Sequence, residues 1–424
     1  MPKTIIHSGL RLIIVLLALL GLYRLSRDAM VVGVSRLYSM MSIITNTVEP
    51  ADDALLWAPA DPEAHYTRGL ALVNAQQLPA AVAELREATR LRPHHYYEWL
   101  DLGVTLDRLG DQAGAIDALR RSVSLAPFFS QPHWQLGNLL FRQGNYNEAF
   151  QEMRKAVASN PNLFDAMAEL GWVAASADVP RLTQFVDVGT QDGHYWLARF
   201  LARHGQGASA AHELTAAGPP LEEWQRVFVR QALEQMIGGE QFNEAYAAWA
   251  ATHPALSRGV ARGQIIDGNF LNAVVQDDPG FGWRLMPVPN VTASIDPEGP
   301  SPDSRSIRLQ LGGDSPADSQ LLRQLIIVDP HTSYRLTFVA RSQDLVTGGL
   351  PVIKVLSASN RNPRVLGQSE SLASGSSSWT KQNFDFSTDD TGAIVVSVQR
   401  HGCTQSPCPI FGKIWLSSFS LVRN

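Results

Sequence analysis

Thiols are the scarcest functional group in this chain: Cys403 and Cys408, close to its end, are its two cysteines among 424 residues. A structural zinc site needs four soft ligands, and His401 alone stands near the pair. A dithiol redox motif places two residues between its cysteines, within a different fold. The pair therefore reads as a disulfide stapling a short loop, if the segment is exported to an oxidising compartment. Charge is sparse as well, at 18% of residues with a formal net charge of -5, and no basic block occurs outside the N-terminal region. Nucleic-acid binding calls for a positive face, so no nucleic-acid partner is expected. Gly-x-Ser-x-Gly, a Walker loop, a dinucleotide fingerprint and a zinc helix are all missing.

What is present begins with size: 424 residues, 45% of them hydrophobic, suffice for two or three domains with their own cores. The N-terminal stretch "TIIHSGLRLIIVLLALLGLYRLSR" has an unbroken apolar run from Leu12 to Tyr23. Extended back to Thr4, with His7 and Arg11 snorkelling, it approaches the length of a membrane span. No small-x-small cleavage site follows, so an uncleaved anchor over residues 1–28 is expected in preference to a cleaved signal peptide. Basic residues flank the run on both sides and leave its orientation open. Residues 29–58 read as a linker or capping helix, with 29–48 lying on the membrane or packing on the first repeat.

Prolines at 59, 93, 127 and 161 and glycines at 69, 103, 137 and 171 advance by a common step of 34 residues. The second unit carries Trp99-x-x-Leu102-Gly103-x-x-Leu106, then Ala115, Leu119, Ser122 and Pro127. This resembles the tetratricopeptide repeat, which implies paired helices stacked into an α-solenoid with a concave side. Gly103 and Ala115 are small where two helices approach, and Pro127 stops the second helix. The resemblance implies groove-facing residues Tyr66, Asn74, Tyr97, Arg108, Trp134, Asn138 and Arg142, a set suited to holding a partner's peptide. For the three aromatics, burial against the next helix is an equal alternative. His94 and His95 read as turn residues. The repeats occupy 59–176, and degenerate helical repeats over 177–260 close the array, with Ala245 and Trp249 in packing positions.

From 261 to 424 the pattern alternates, and "QIIDGNF", "SIRLQL", "LLRQLIIV", "SYRLTFVARS", "PVIKVLS", "WTKQNFDF", "AIVVSVQR" and "KIWLSSFSLV" read as strands of an antiparallel β-sandwich. "DGNFLNAVVQDDPGFGWRL", "YRLTFVARS", "SSSWTKQNFDFST" and "IWLSSFSLVRN" resemble carbohydrate-binding-module jelly rolls of the galactose-binding-like type. That resemblance implies a sugar site, for which Trp283, Arg341, Trp379, Gln399 and Arg400 are candidates; core packing or solvation is the alternative for each. It also implies a structural calcium ion, but Ser417 and Ser418 stand where acidic ligands are usual, so no cofactor or metal is expected. Gly313-Asp314-Ser315 matches a lipase-esterase nucleophile block, yet Pro316 follows and no Asp-x-x-His lies downstream.

The expected fold is thus multidomain α plus β: a membrane helix, a tetratricopeptide solenoid and a C-terminal jelly roll. The expected function is a non-enzymatic scaffold anchored in the bacterial inner membrane, with extracytoplasmic domains. Its repeats would bind a protein partner, and its jelly roll a glycan or an assembly subunit, in exopolysaccharide or surface-glycan synthesis or export. The competing expectation is an envelope glycan hydrolase or esterase using the jelly roll.

Overall fold

A computed structural model describes residues 3–272, 274, 279–302, 304–313, 315–316, 318–359, 363–403 and 408–424, with side chains from residue 13 onward. Asp314, the residues between Cys403 and Cys408, part of the "DGNFLNAVVQDDPGFGWRL" stretch and the side chains of His7 and Arg11 lie outside the described residues. The chain divides into two compact units, 1–187 and 188–424.

The first unit opens with one long helix, α1 (Lys3–Thr45). The expected membrane helix and inner-membrane location are corrected here: among the described residues no helix is long and apolar enough to cross a membrane. The physical reason is length. Leu12 to Tyr23 rises about 18 Å as a helix, against about 30 Å of hydrocarbon, and Arg24, Arg27 and Asp28 follow within the same helix. The second half of α1 packs instead. Ser35, Ser39 and Ser42 recur on one buried stripe, and the Ser35 hydroxyl donates to Ala54 O at 2.9 Å on α2 (Glu49–Trp57).

Helix pairs come next: α3 (Pro62–Asn74) with α4 (Leu78–Leu91), α5 (Tyr96–Leu109) with α6 (Gln112–Leu125), α7 (Ser130–Arg142) with α8 (Tyr146–Ser159), and α9 (Phe164–Ala174) with α10 (Val179–Val186). The 34-residue glycines explain the pairing. A Cβ on Gly69, Gly103 or Gly137 would stand 2.7, 2.7 or 2.8 Å from Cγ of Leu85, Leu119 or Met153 on the second helix. Only a bare Cα admits that approach, and Ala81, Ala115 and Ala149 complete it, each with no exposed surface. Asp61, Asp111 and Asp178 cap α3, α6 and α10 through backbone N–H groups.

The second unit begins with α11 (Gln191–Arg203), α12 (Gly207–Ala217), α13 (Glu223–Gly238) and α14 (Phe242–Thr252). Ala245 and Trp249 are fully buried, and the Trp249 ring lies 5.7 Å from Phe281. Beyond these helices the described residues form two five-stranded antiparallel sheets. One has the order β1 (Arg284–Leu285), β4 (Gln320–Ile327), β9 (Ala393–Arg400), β6 (Pro351–Ser357), β7 (Val365–Gln368). The other has the order β2 (Val291–Asp296), β3 (Ser306–Gly313), β10 (Ile410–Arg423), β5 (Ser333–Thr347), β8 (Thr380–Ser387). One core joins their inner faces, with Leu309, Phe338 and Leu416 from the second sheet against Ile326, Ile353 and Val396 from the first.

"QIIDGNF", expected as a strand, is a turn. The side chain of Gln324 occupies the backbone of Ile266 on both sides, accepting from its N–H at 3.1 Å and donating to its carbonyl at 2.9 Å. A side chain thus satisfies groups that a ladder would otherwise pair, and Phe270 still reaches the core.

Candidate functional site

The first helices of successive units present residues side by side, 34 or 35 positions apart. Tyr66 on α3 donates its hydroxyl to Asp101 Oδ2 on α5 at 2.7 Å. Arg142 on α7 bonds the Asp107 carboxylate on α5. Between α3 and α5 opens a pocket of about 360 Å³, lined among others by Glu63, Tyr66, Arg92, Tyr97 and Asp101. Arg92 spans two carboxylates, reaching Glu63 at 3.2 Å and Glu98 at 2.9 Å. Glu98 is fully buried, and its Oε2 has no hydrogen-bond partner among the described residues.

Desolvation dominates the electrostatics of this pocket. It pushes the Glu98 carboxyl up to about 7, despite the opposing pull of Arg92. It also raises Asp101, against the hydrogen bond from Tyr66, and raises the Tyr66 hydroxyl, with Asp101 adding to the effect. His95 is lowered, by desolvation first and by Arg92 second. Perturbed groups of this kind, gathered at a cleft, mark a candidate binding site.

The seven residues expected to line the groove divide. Tyr66 and Tyr97 meet at the pocket, and Tyr97 is 43% exposed. Arg142 and Arg108 are exposed, with Arg142 engaged by Asp107. Trp134 and Asn138 are half-buried, the Asn138 amide donating to Trp134 O at 2.8 Å. Asn74 bonds Asn46 at the end of α1. Asp101 and Asp107 went unnoticed in the sequence. A signal existed: Asp101 lies four residues beyond Tyr97, on the same helical face.

In the sandwich, three of the five glycan candidates are withdrawn from solvent. Trp283 is buried, its indole N–H donating to Asp267 O at 3.2 Å. Gln399 is buried on β9, and Arg400 is fully buried. The Arg400 guanidinium donates to the backbone and hydroxyl oxygens of Ser315, to Thr347 Oγ1 and to Cys408 O. It ties strand β9 to the cysteine loop, where Cys403 and Cys408 form a disulfide with Cα atoms 6.0 Å apart. Arg341 and Trp379 remain half-buried on the outer face of the second sheet. Arg341 lies 4.9 Å over the Trp415 ring and 6.0 Å from that of Trp379, while bonding Glu298 at 2.7 Å. Trp415, missed in the sequence, pairs directly with Arg341 and Arg308 in the ladder and bonds Asp296 at 3.0 Å. Ser417 gives its hydroxyl to Arg305 O, and no group of three His, Cys, Asp or Glu side chains gathers among the described residues.

Models of the tetratricopeptide repeat match residues 66–128 and 130–163. Over 62 residues the chain is 47% identical to the TPR repeat-containing protein PA4299 of Pseudomonas aeruginosa, covering 15% of this chain and 25% of that protein. The chain thus spans about a quarter of the length of that curated relative. Similar solved structures include MamA (17% identical, 33% of this chain and 82% of that one, TM-score 0.31). They also include YrrB, described as a TPR protein with an unusual peptide-binding site (19% identical, 44% and 82%, TM-score 0.28). A third is described as CBM4 structure and function (12% identical, 38% and 99%, TM-score 0.29). The repeats themselves are established, and repeats of this kind imply a scaffold for protein–protein interaction.

Proposed function

We propose that this chain is a non-enzymatic scaffold whose first-helix face binds a peptide segment of a protein partner at the Tyr66–Tyr97 pocket. The supporting observation is the pocket itself, in which the Tyr66–Asp101 bond crosses between two units and an exposed tyrosine stands beside it. Preformed, half-apolar clefts with a few convergent polar groups are the usual form of such sites. Capture from lysate by the full chain and by Tyr97→Ala tests the reading. A partner retained by the first and lost by the second supports it, and equal retention by both refutes this location.

The sandwich contributes a second surface, for a glycan or an assembly subunit, on which Arg341 and Trp379 are the contact residues. Support comes from the guanidinium held over two indoles on one sheet face, a combination of flat apolar and multidentate polar groups that suits a sugar ring. A scaffold with both surfaces would serve exopolysaccharide or surface-glycan assembly. Glycan-array binding by the full chain, compared with Arg341→Ala, tests this surface; release of sugar or acyl groups in the same assay would replace it with the hydrolase or esterase reading.

A further inference from the structure

The pocket between α3 and α5 carries an imbalance of charge. Glu63 and Asp101 line it and Glu98 lies behind; among the described residues Arg92 is the one guanidinium bonded to these carboxylates, with a His95 ring nitrogen 3.6 Å from Glu98. That guanidinium is spent on Glu63 and Glu98, which leaves Asp101 with the neutral hydroxyl of Tyr66. Behind Arg92, Glu98 keeps one oxygen unpartnered among the described residues in a fully buried position. Burying carboxylates without a full complement of cations is costly, and the upward push on Glu98 and Asp101 registers that cost. Around the opening lies an aromatic surface. The Tyr96 ring lies tilted 4.2 Å from that of Tyr97 and 5.1 Å from that of Phe129, and Phe128 and Phe129 are 84% and 55% exposed.

We propose that this pocket receives the arginine side chain of a partner's peptide segment, its guanidinium set against Asp101 and Glu63 beside the Tyr97 ring, with an apolar neighbour of that arginine on Phe128 and Phe129. The inference rests on the reading of this face as the peptide-binding surface, and it adds the sign of the ligand. A guanidinium supplies the missing positive charge, matches a carboxylate with a two-pronged donor and stacks on an aromatic ring. A segment ending in a free carboxylate would instead meet like charge, which costs binding.

The test uses the full chain and two acetylated, amidated pentapeptides, Gly-Phe-Arg-Phe-Gly and the same peptide with uncharged citrulline for arginine, titrated by calorimetry. The arginine peptide is expected to bind roughly tenfold more tightly, about 1.4 kcal/mol, and to lose that advantage in Asp101→Asn. Circular dichroism verifies that the variant is folded. Equal affinity for both peptides, an arginine preference that survives in Asp101→Asn combined with Glu63→Gln, or binding of neither peptide overturns the proposal. Equal binding that Tyr97→Ala abolishes for both peptides keeps the peptide-binding face while removing its charge preference, so the two readings fail separately.

Discussion

The indole N–H of Trp99 donates to the carbonyl of Pro93 at 3.0 Å, six residues back along the chain. His65 and His133 hold the same place in the flanking units, with Nε2 2.9 Å from the carbonyls of Pro59 and Pro127. Their second ring nitrogens bond Glu84 and Glu152. Indole has no second nitrogen, and Ala118 stands where those glutamates stand. The ring and its partner change together because a buried glutamate facing indole carbon would be stranded.

Trp99→Phe should therefore cost about 1 kcal/mol, the worth of one net hydrogen bond. His133→Phe should cost more, roughly 2–3 kcal/mol, because it also frees a buried Glu152 oxygen. Urea denaturation of both variants measures the difference; equal costs would show that the ring-to-glutamate bond adds nothing.

Gly103→Ala puts a methyl 2.7 Å from Leu119 Cγ and 3.2 Å from Ala115 O. A loss of about 1–3 kcal/mol is expected from overpacking. Gly33→Ala is the control, since nothing lies within 4 Å of its added Cβ in the interior of α1. That change should stabilise by up to about 1 kcal/mol through helix propensity. Opposite signs in thermal melts are the expected outcome, and a shared sign would remove steric closeness as the reason for the repeated glycine.

Glu98 predicts a pH dependence. Its folded-state value of about 7 lies above the ordinary 4.5, so the native state holds the proton more tightly than the unfolded chain. The stabilisation this provides is complete below about pH 4.5 and lost as pH rises through about 7. Glu98→Gln stays neutral throughout, keeps an acceptor for Arg92, and should gain on wild type progressively between about pH 4.5 and 7 and level off above that. Urea midpoints across that range decide; parallel curves for the two proteins would contradict the buried-carboxyl account.

Arg400 and Arg341 separate structure from recognition in the sandwich. Arg400→Ala leaves the buried oxygens of Ser315 and the half-buried Cys408 carbonyl without their donor and should cost about 1–3 kcal/mol. Arg341→Ala removes a half-exposed ion pair and should cost about 1 kcal/mol or less. Calorimetric unfolding checks both, and a mild Arg400→Ala would argue that the cysteine loop does not depend on it.

Periodicity and alternation were legible in the sequence because each follows from local geometry. A 34-residue step of proline and glycine specified paired helices, and alternating runs specified strands β3 to β6 and β8 to β10, while β1, β2 and the short β7 were not read from the sequence. The N-terminal run misled because hydropathy was extended past His7 and Arg11, beyond the apolar length the helix holds. "QIIDGNF" misled because a distant glutamine, Gln324, satisfies its backbone, which no local pattern reveals. Most of the candidate sugar residues misled for a related reason: Trp283, Gln399 and Arg400 have the right chemistry, but burial is a property of the whole sheet pair.

By itself, then, the sequence determined the repeat and the close helix contacts at its glycines, since small residues a fixed number of positions apart meet the second helix again in successive units. Tertiary structure alone decided which polar groups are compensated. Glu63 from α3 and Glu98 from α5 converge on Arg92 while Asp101 is left to Tyr66, and two indoles and an arginine converge across β10, β5 and the residue before β8. Such convergence depends on distances between segments remote in the chain, and the free energy of a charge is set by whatever those segments bring within a few ångströms of it.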